Sequence, residues 1–245
     1  VSAGTNAAAL QVWDADLLVG RDPVTAVRTA VPDLAAWLAA GAGVPIVGGV
    51  LGSLRAMTFD AASGNAEAVE AARTLGLVPS LTLETRDWLG ARAALAAAPD
   101  GTVVRLAPQR QDCLPTHPGF AAIVRACAER DLVVFAEGDV RVWGPAYAGR
   151  GLRVVFLDAH FYHLGDLVAL AADEPGFHVS TRLLNGPDSL EIVVDELGSD
   201  RLVFGSRAGF HEGRSAVERL LTSTLDDEAR RAAASGNLAR LVGRA

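Results

Sequence analysis

The chain has 245 residues, 50% of them hydrophobic, and a formal net charge of −7. That length suits one large α/β domain with a full core, and the acidic balance excludes the clustered positive charge of a nucleic-acid-binding surface. All 22 basic residues are arginine, so neither a Schiff-base lysine nor a carboxylated lysine bridging two metals can exist here. The only cysteines, Cys113 and Cys127, are too far apart for a CxxC pair, which excludes a disulfide scaffold and a thiolate zinc site. No apolar run approaches ~18 residues, so no transmembrane helix is expected. Residues 1–9 lack the basic and apolar regions of a signal peptide. The expectation is a cytoplasmic protein without nucleic-acid or membrane partners. The richness in Ala, Arg and Gly looks like high-GC coding bias and says nothing about function.

Residues 10–18 read as a first strand carrying Asp14 and Asp16. Residues 24–40 are helical in pattern, with Pro32 expected to break them. A second strand is expected at 45–50, within a glycine-interrupted stretch, followed by a loop through Arg55 and Asp60. Asn65 is the expected N-cap of a helix at 66–75, which Gly76 ends. A third strand at 77–83 leads to Glu84 and a helix at 86–98. Residues 102–106 form the fourth strand, with Arg105 inside it, before a helix at 118–130 that starts on Pro118. The fifth strand, 132–136, ends in Glu137, and 141–148 is a short, poorly patterned crossover. The sixth strand, 153–157, is followed by Asp158, His160 and His163, then a helix at 164–172. The seventh, 177–181, precedes Arg182 and a helix at 187–197. The eighth, 202–204, precedes Ser206 and Arg207, and helices at 213–222 and 226–241 close the chain.

Eight strand-then-helix units with short, continuously apolar strands are the pattern of a parallel sheet buried on both faces. Eight units in this length favour a closed (β/α)8 TIM barrel over an open doubly wound sheet. Residues 1–245 therefore read as one domain. No GxGxxG follows the first strand and no GxxxxGK[ST] occurs, so a dinucleotide or Walker-type nucleotide site has no support.

Three stretches resemble the amidohydrolase-related barrels. WDADLLVG at 13–20 is similar to their first strand, Asp-x-His-x-His-x-Gly. RLVFGSR at 201–207 is similar to their last, Leu-Leu-Phe-Gly-Ser-Asp. DEARRAAASGNLARL at 227–241 is similar to their closing helix, which ends Gly-Asn-x-x-Arg-Leu. The resemblance implies a barrel with a C-terminal closing helix and hydrolase or decarboxylating lyase chemistry. Members usually hold a divalent metal, but here the ligand positions depart from the pattern. The first-strand histidines fall on Asp16 and Leu18, the fifth-strand histidine falls near Glu137, and the final aspartate is Arg207. Only His160 or His163 could be the sixth-strand histidine. A metal such as zinc would have to rest on Asp16, Glu137 and His160, beside the opposing charge of Arg207.

Barrel enzymes carry their chemistry at the C-terminal strand ends, which here hold Asp16, Glu84, Arg105, Glu137, Asp158, His160, Arg182, Ser206 and Arg207. Glu137 follows an apolar strand, where desolvation would raise its pKa and suit a general acid or base. Its alternative is an ion pair with an arginine. His160 and His163 read as a base or as hydrogen-bonded core or loop residues. Arg105, Arg182 and Arg207, with Ser206 beside them, would clamp a carboxylate or phosphate, or else neutralise Asp14, Glu84 or Asp158. Asp14 or Asp16 could equally pair with an arginine. His117 and His211 read as loop residues near the barrel mouth. Three functions remain open: a metal-independent enzyme on a carboxylate-bearing small molecule, in which Glu137 or Asp16 handles a proton or activates water, His160 or His163 assists and the arginines stabilise a developing oxyanion; a metal-dependent hydrolase with altered ligands; and a lapsed barrel kept as a binding protein. Outer helices rich in Ala and Leu permit a homodimer.

Overall fold

The computed structural model describes residues 10–40, 43–211 and 213–244. The reading of residues 1–9 lies outside them. Strand β1 (Val12–Arg21) heads a curled nine-stranded sheet in the order β2-β1-β3-β4-β5-β6-β7-β8-β9. β2 (Arg28–Thr29) is a short antiparallel addition to the end of β1. The other neighbours, β3 (Ile46–Ser53), β4 (Val78–Thr82), β5 (Val103–Leu106), β6 (Val133–Ala136), β7 (Arg153–Phe156), β8 (Phe177–Ser180) and β9 (Leu202–Val203), pair in parallel. At the far ends of the sheet the Ala15 amide donates to the Phe204 carbonyl at 2.9 Å.

Alternation along these strands sorts the core. Val103, Val133, Phe135, Val155, Leu157 and Val203 pack with Ala15 in one cluster. The intervening Val104, Leu106, Val134, Ala136, Val154 and Phe156 pack in another with helical residues such as Phe120, Ile123 and Leu167. Both faces of the sheet are thus apolar, as parallel sheets require.

The helices follow the strands with several shifts from the sequence reading. α1 (Val31–Ala40) begins where Pro32 was expected to break a longer helix; proline in a first turn sacrifices no hydrogen bond. The stretch around Arg55 is a helix, α2 (Leu54–Thr58), not a loop. α3 (Ala61–Leu75) starts earlier than expected, because Asp60 caps it through the Ser63 amide. Asn65 is therefore inside the helix, and its carboxamide bonds both the amide and the carbonyl of Thr82 at 2.8 Å each. α4 (Trp88–Ala97) and α5 (Pro118–Glu129) lie close to expectation. The weakly patterned crossover is α6 (Val140–Tyr147), capped by Asp139. Its Trp143 and Tyr147 rings pack edge-on against Phe120 at 5.2 and 6.0 Å, a tertiary contact that local periodicity does not reveal. α7 (Leu164–Ala171), α8 (Ser189–Leu197) and α9 (Arg214–Thr222) complete the outer layer.

The closing helix is α10 (Asp227–Arg231), a π turn at Ala232–Gly236 and α11 (Asn237–Leu241). Asn237 donates to the carbonyls of Ser199 and Leu202 at 2.7 Å each, and the Phe204 amide donates to Ala233. Leu238 packs into the Ala15 cluster.

Candidate functional site

The pairing of β1 with β3 slips between Asp14 and Leu17, where two intervening residues face one on β3. Such a bulge re-aims a side chain, and here Ala15 packs on the Val103–Phe135 cluster while Asp16 meets Arg105 on the same strands. Asp16 is fully buried. Its Oδ1 accepts from Arg105 Nη1 at 3.0 Å, and its Oδ2 faces Arg207 Nε at 2.8 Å and Arg182 Nε at 3.3 Å. Glu137 lies just past β6. Its Oε1 accepts from Arg105 Nη1 at 2.8 Å and lies 3.2 Å from Arg207 Nη2, and its Oε2 accepts from Arg110 Nε at 3.2 Å. Asp158, just past β7, pairs with Arg182, approaches Arg207 Nη2 at 3.5 Å and accepts the Gly138 amide at 2.9 Å.

Four guanidiniums, Arg105, Arg110, Arg182 and Arg207, and four carboxylates, Asp16, Asp22, Glu137 and Asp158, therefore form one largely buried, formally neutral network. Arg207 is placed by an uncommon left-handed backbone, with φ 54°. Arg105 has no exposed surface, and its Nε and Nη2 have no hydrogen-bond partner. Gly52 makes room for it: a Cβ there would lie 2.9 Å from Arg105 Nε.

This network sets the titration. Burial pushes Asp16 and Glu137 up, but Arg207 and Arg105 together outweigh it and hold both carboxyls below their ordinary range. The raised pKa expected for Glu137 is thus corrected: desolvation is present, and neighbouring positive charge prevails. Burial, reinforced by Arg207, lowers Arg182 to about 10. Asp14 behaves oppositely. Burial raises it to about 6, although Ser206 donates to it from both hydroxyl and amide, the latter at 3.0 Å. Ser206 is thereby taken up by Asp14, and its own oxygen accepts the Ala208 amide at 2.9 Å.

A cleft of about 520 Å³ opens beside the network, with Glu137 and Asp158 in its wall together with Arg110, Asp139, His160 and His163. Asp16, Arg105, Arg182, Arg207 and Ser206 lie behind that wall and are not among its lining residues. His160 stacks on Tyr162, with centroids 4.6 Å apart and planes at 9°, and its Nδ1 accepts the Tyr162 amide at 3.3 Å. His163 Nδ1 lies 3.9 Å from Asp139. Sequence reading missed Arg110, which sits in a turn with no strand to mark it. It pairs with Glu137, lies 3.6 Å from Asp22 and stands 5.5 Å over the Phe210 ring. His211 is an exposed loop residue near this cluster; partial desolvation of its ring first, then the charges of Arg182 and Arg207, lower its pKa. Glu84 is elsewhere, paired with Arg86. Cys113 is buried with a raised pKa, consistent with an inert thiol.

The curled sheet with its outer helices is similar in fold to solved amidohydrolase-type TIM barrels. A protein from Pseudomonas putida assigned as a 2-pyrone-4,6-dicarboxylic acid hydrolase is similar at TM-score 0.70 and 19% identity, over 96% of this chain and 98% of that one. A 2,6-dihydroxybenzoate decarboxylase from Rhizobium is similar at 0.73 and 12%, over 95% and 98%. A 5-carboxyvanillate decarboxylase from Novosphingobium aromaticivorans, solved with bound manganese, is similar at 0.67 and 10%, over 98% and 99%. No family model matches the sequence, and no curated protein matches it. Identities this low establish the fold alone.

The residues do not fit a metal like that of the manganese-bearing neighbour. Both oxygens of Asp16 and of Glu137 already face guanidinium nitrogens. Leu18 is packed among Leu54, Met57 and Ala107. Among the described residues no group of three or more His, Cys, Asp or Glu is arranged to hold an ion, including Asp16, Glu137 and His160.

Proposed function

We propose that residues 1–245 form a single closed (β/α)8 barrel and an amidohydrolase-like enzyme, acting without a required metal on a carboxylate-bearing small molecule. The reaction is hydrolysis of a lactone, ester or amide, or loss of a carboxyl group. The observation that carries this reading is the cleft in which Glu137, Asp158, Arg110, His160 and His163 meet at the C-terminal strand ends, backed by the buried arginines. Barrel enzymes use that end of the sheet. The hydrolase and decarboxylase neighbours of the same fold support the reaction class.

In this reading Arg110 receives the substrate carboxylate, because it is the partly exposed guanidinium in the cleft wall. Arg105, Arg182 and Arg207 act through their field, stabilising negative charge that develops in the cleft. Asp16 and Glu137, held ionised, fix those arginines in place, and Ser206 anchors Asp14. A carboxylate so strongly held is a poor proton acceptor, so His160 or His163 moves the proton. In hydrolysis the histidine takes a proton from the attacking water. In decarboxylation it returns one to the carbon that lost its carboxyl group. The chain is further read as a cytoplasmic protein able to form a homodimer; among the described residues no helix is long and apolar enough to cross a membrane.

A second reading, a lapsed barrel that only binds, is favoured by the same network, since its carboxylates are satisfied internally. Turnover separates the two. A panel of aromatic carboxylates and their lactones is incubated with the protein, and ring opening or CO2 release is followed. The enzyme reading expects one class of substrate to turn over, and His160→Ala or His163→Ala to slow it by about 10²–10⁴-fold. Saturable binding without turnover would support the lapsed barrel.

A further inference from the structure

The guanidinium of Arg207 meets three carboxylates, one within β1 and two just past the ends of β6 and β7. Its Nε is 2.8 Å from Asp16 Oδ2, and its Nη2 is 3.2 Å from Glu137 Oε1 and 3.5 Å from Asp158 Oδ1. Most of this lies out of water: Arg207 and Glu137 are each 2% exposed and Asp16 is 0%, while Asp158 keeps 22% of its side chain exposed at the cleft wall. A convergence of three carboxylates on one buried point is costly unless a cation fills it. Here the cation is covalently part of the chain. We infer that Arg207 is a built-in substitute for a divalent metal ion, filling a tricarboxylate socket formed by Asp16, Glu137 and Asp158.

Three features support this. Arg207 Nε hydrogen-bonds Asp16, and Nη2 stands at ion-pair distances from Glu137 and Asp158; all three are longer than the roughly 2.0–2.6 Å at which hard divalent cations hold oxygen, so the spacing suits a guanidinium. Residue 207 adopts a left-handed φ of 54°, where a side chain other than glycine is strained, so the placement is sustained by the pairs the side chain makes. Arg105 and Arg182 meet Asp16 from other sides at 3.0 and 3.3 Å, and Arg110, shared with Asp22, meets Glu137 at 3.2 Å. Removing Arg207 alone leaves Asp16, Asp22, Glu137 and Asp158 against Arg105, Arg110 and Arg182, a net negative hole open on the side toward Asp158. The inference deepens the metal-independent part of the proposed function and is indifferent to which reaction the cleft performs.

The test compares the full-length wild type with Arg207→Gly, which suits the backbone, and with Arg207→Lys, which keeps one positive charge. Each is titrated with manganese chloride by calorimetry and melted with millimolar manganese or guanidinium chloride. The wild type and Arg207→Lys are expected to bind no manganese and to show no shift. Arg207→Gly is expected to melt lower, to regain stability with either cation, and to bind about one equivalent of manganese saturably. Saturable manganese binding by the wild type would overturn the inference. So would an Arg207→Gly protein that neither manganese nor guanidinium stabilises or refolds. Carboxylate binding in the wild-type cleft, measured in parallel, reports on the proposed function separately: its absence leaves the socket result standing, and its presence does not rescue a failed socket.

Discussion

Replacing Arg105 with methionine tests whether the buried charges act as one network. Arg105 uses a single nitrogen, Nη1, to bond both Asp16 Oδ1 and Glu137 Oε1. Methionine fills much of the stem's volume but leaves a net negative charge among buried carboxylates. Breaking a buried pair from one side costs about 3–5 kcal/mol. The low end applies here, because Asp16 keeps Arg207 and Arg182, while Glu137 keeps Arg207 and Arg110. Removing the unpartnered Nε and Nη2 offsets part of the loss as well. The expected destabilisation is therefore about 3 kcal/mol, which in a chain of this size lowers Tm by roughly 6–12 °C. Urea denaturation would measure it, with Asp16→Asn and the double variant completing a cycle. The double variant should recover about 1 kcal/mol or more relative to the sum of the singles. A loss below about 1 kcal/mol with additive singles, the behaviour of an exposed pair, would refute the network.

Three further outcomes follow from the same geometry. Asp14 has a folded pKa of about 6 against an ordinary 3.8, so it costs stability as pH rises from about 4 to about 6, on the order of 3 kcal/mol in all. Asp14→Asn should flatten that slope in denaturation curves collected across the window; an unchanged slope would exclude Asp14 as its source. Asp16 and Glu137 have depressed values, so their contribution is fully present above their ordinary values, near 4, and is lost as pH falls below them. The acid limb of a Tm–pH profile should accordingly move to higher pH in Arg105→Met. Gly52→Ala places a methyl 2.9 Å from Arg105 Nε and should cost about 1–3 kcal/mol by overpacking, measured in urea. Alanine at the exposed Gly165, with open space beside it, serves as the control and should be neutral or stabilising.

The strand-and-helix order was legible in the sequence because each unit is local. Apolar runs such as Val133–Ala136 and their flanking caps identify themselves. The glycine-rich β3 was harder to read. Gly48 lies under the Trp13 ring, Gly49 against the Asp14 carbonyl and Gly52 under Arg105, so the glycines that seemed to interrupt the strand are what its neighbours require. Asn65 misled for a similar reason. It resembles a cap, but its partner is Thr82 on the next strand. The positions of Glu137, Arg182 and Arg207 just past strands, and of Arg105 inside one, could be read directly, whereas Asp16 was expected near a strand end and lies in the middle of β1, which runs on to Arg21. Their mutual pairing could not, since the partners are separated by 89 residues for Arg105–Asp16 and 191 for Arg207–Asp16. The same distance hid the sign of the Glu137 shift, which depends on three arginines contributed by other segments. Arg110 carries no local signal, because nothing in a turn announces which way its guanidinium points.

The most direct test of the account is calorimetric binding of aromatic dicarboxylates to the full chain in the presence of EDTA, for wild type and Arg110→Ala. An arginine-compensated, metal-independent cleft predicts saturable binding that is unaffected by chelator, and that Arg110→Ala weakens by about tenfold or more, the loss of a charged hydrogen bond. Binding that EDTA abolishes, or that is indifferent to Arg110, would contradict it.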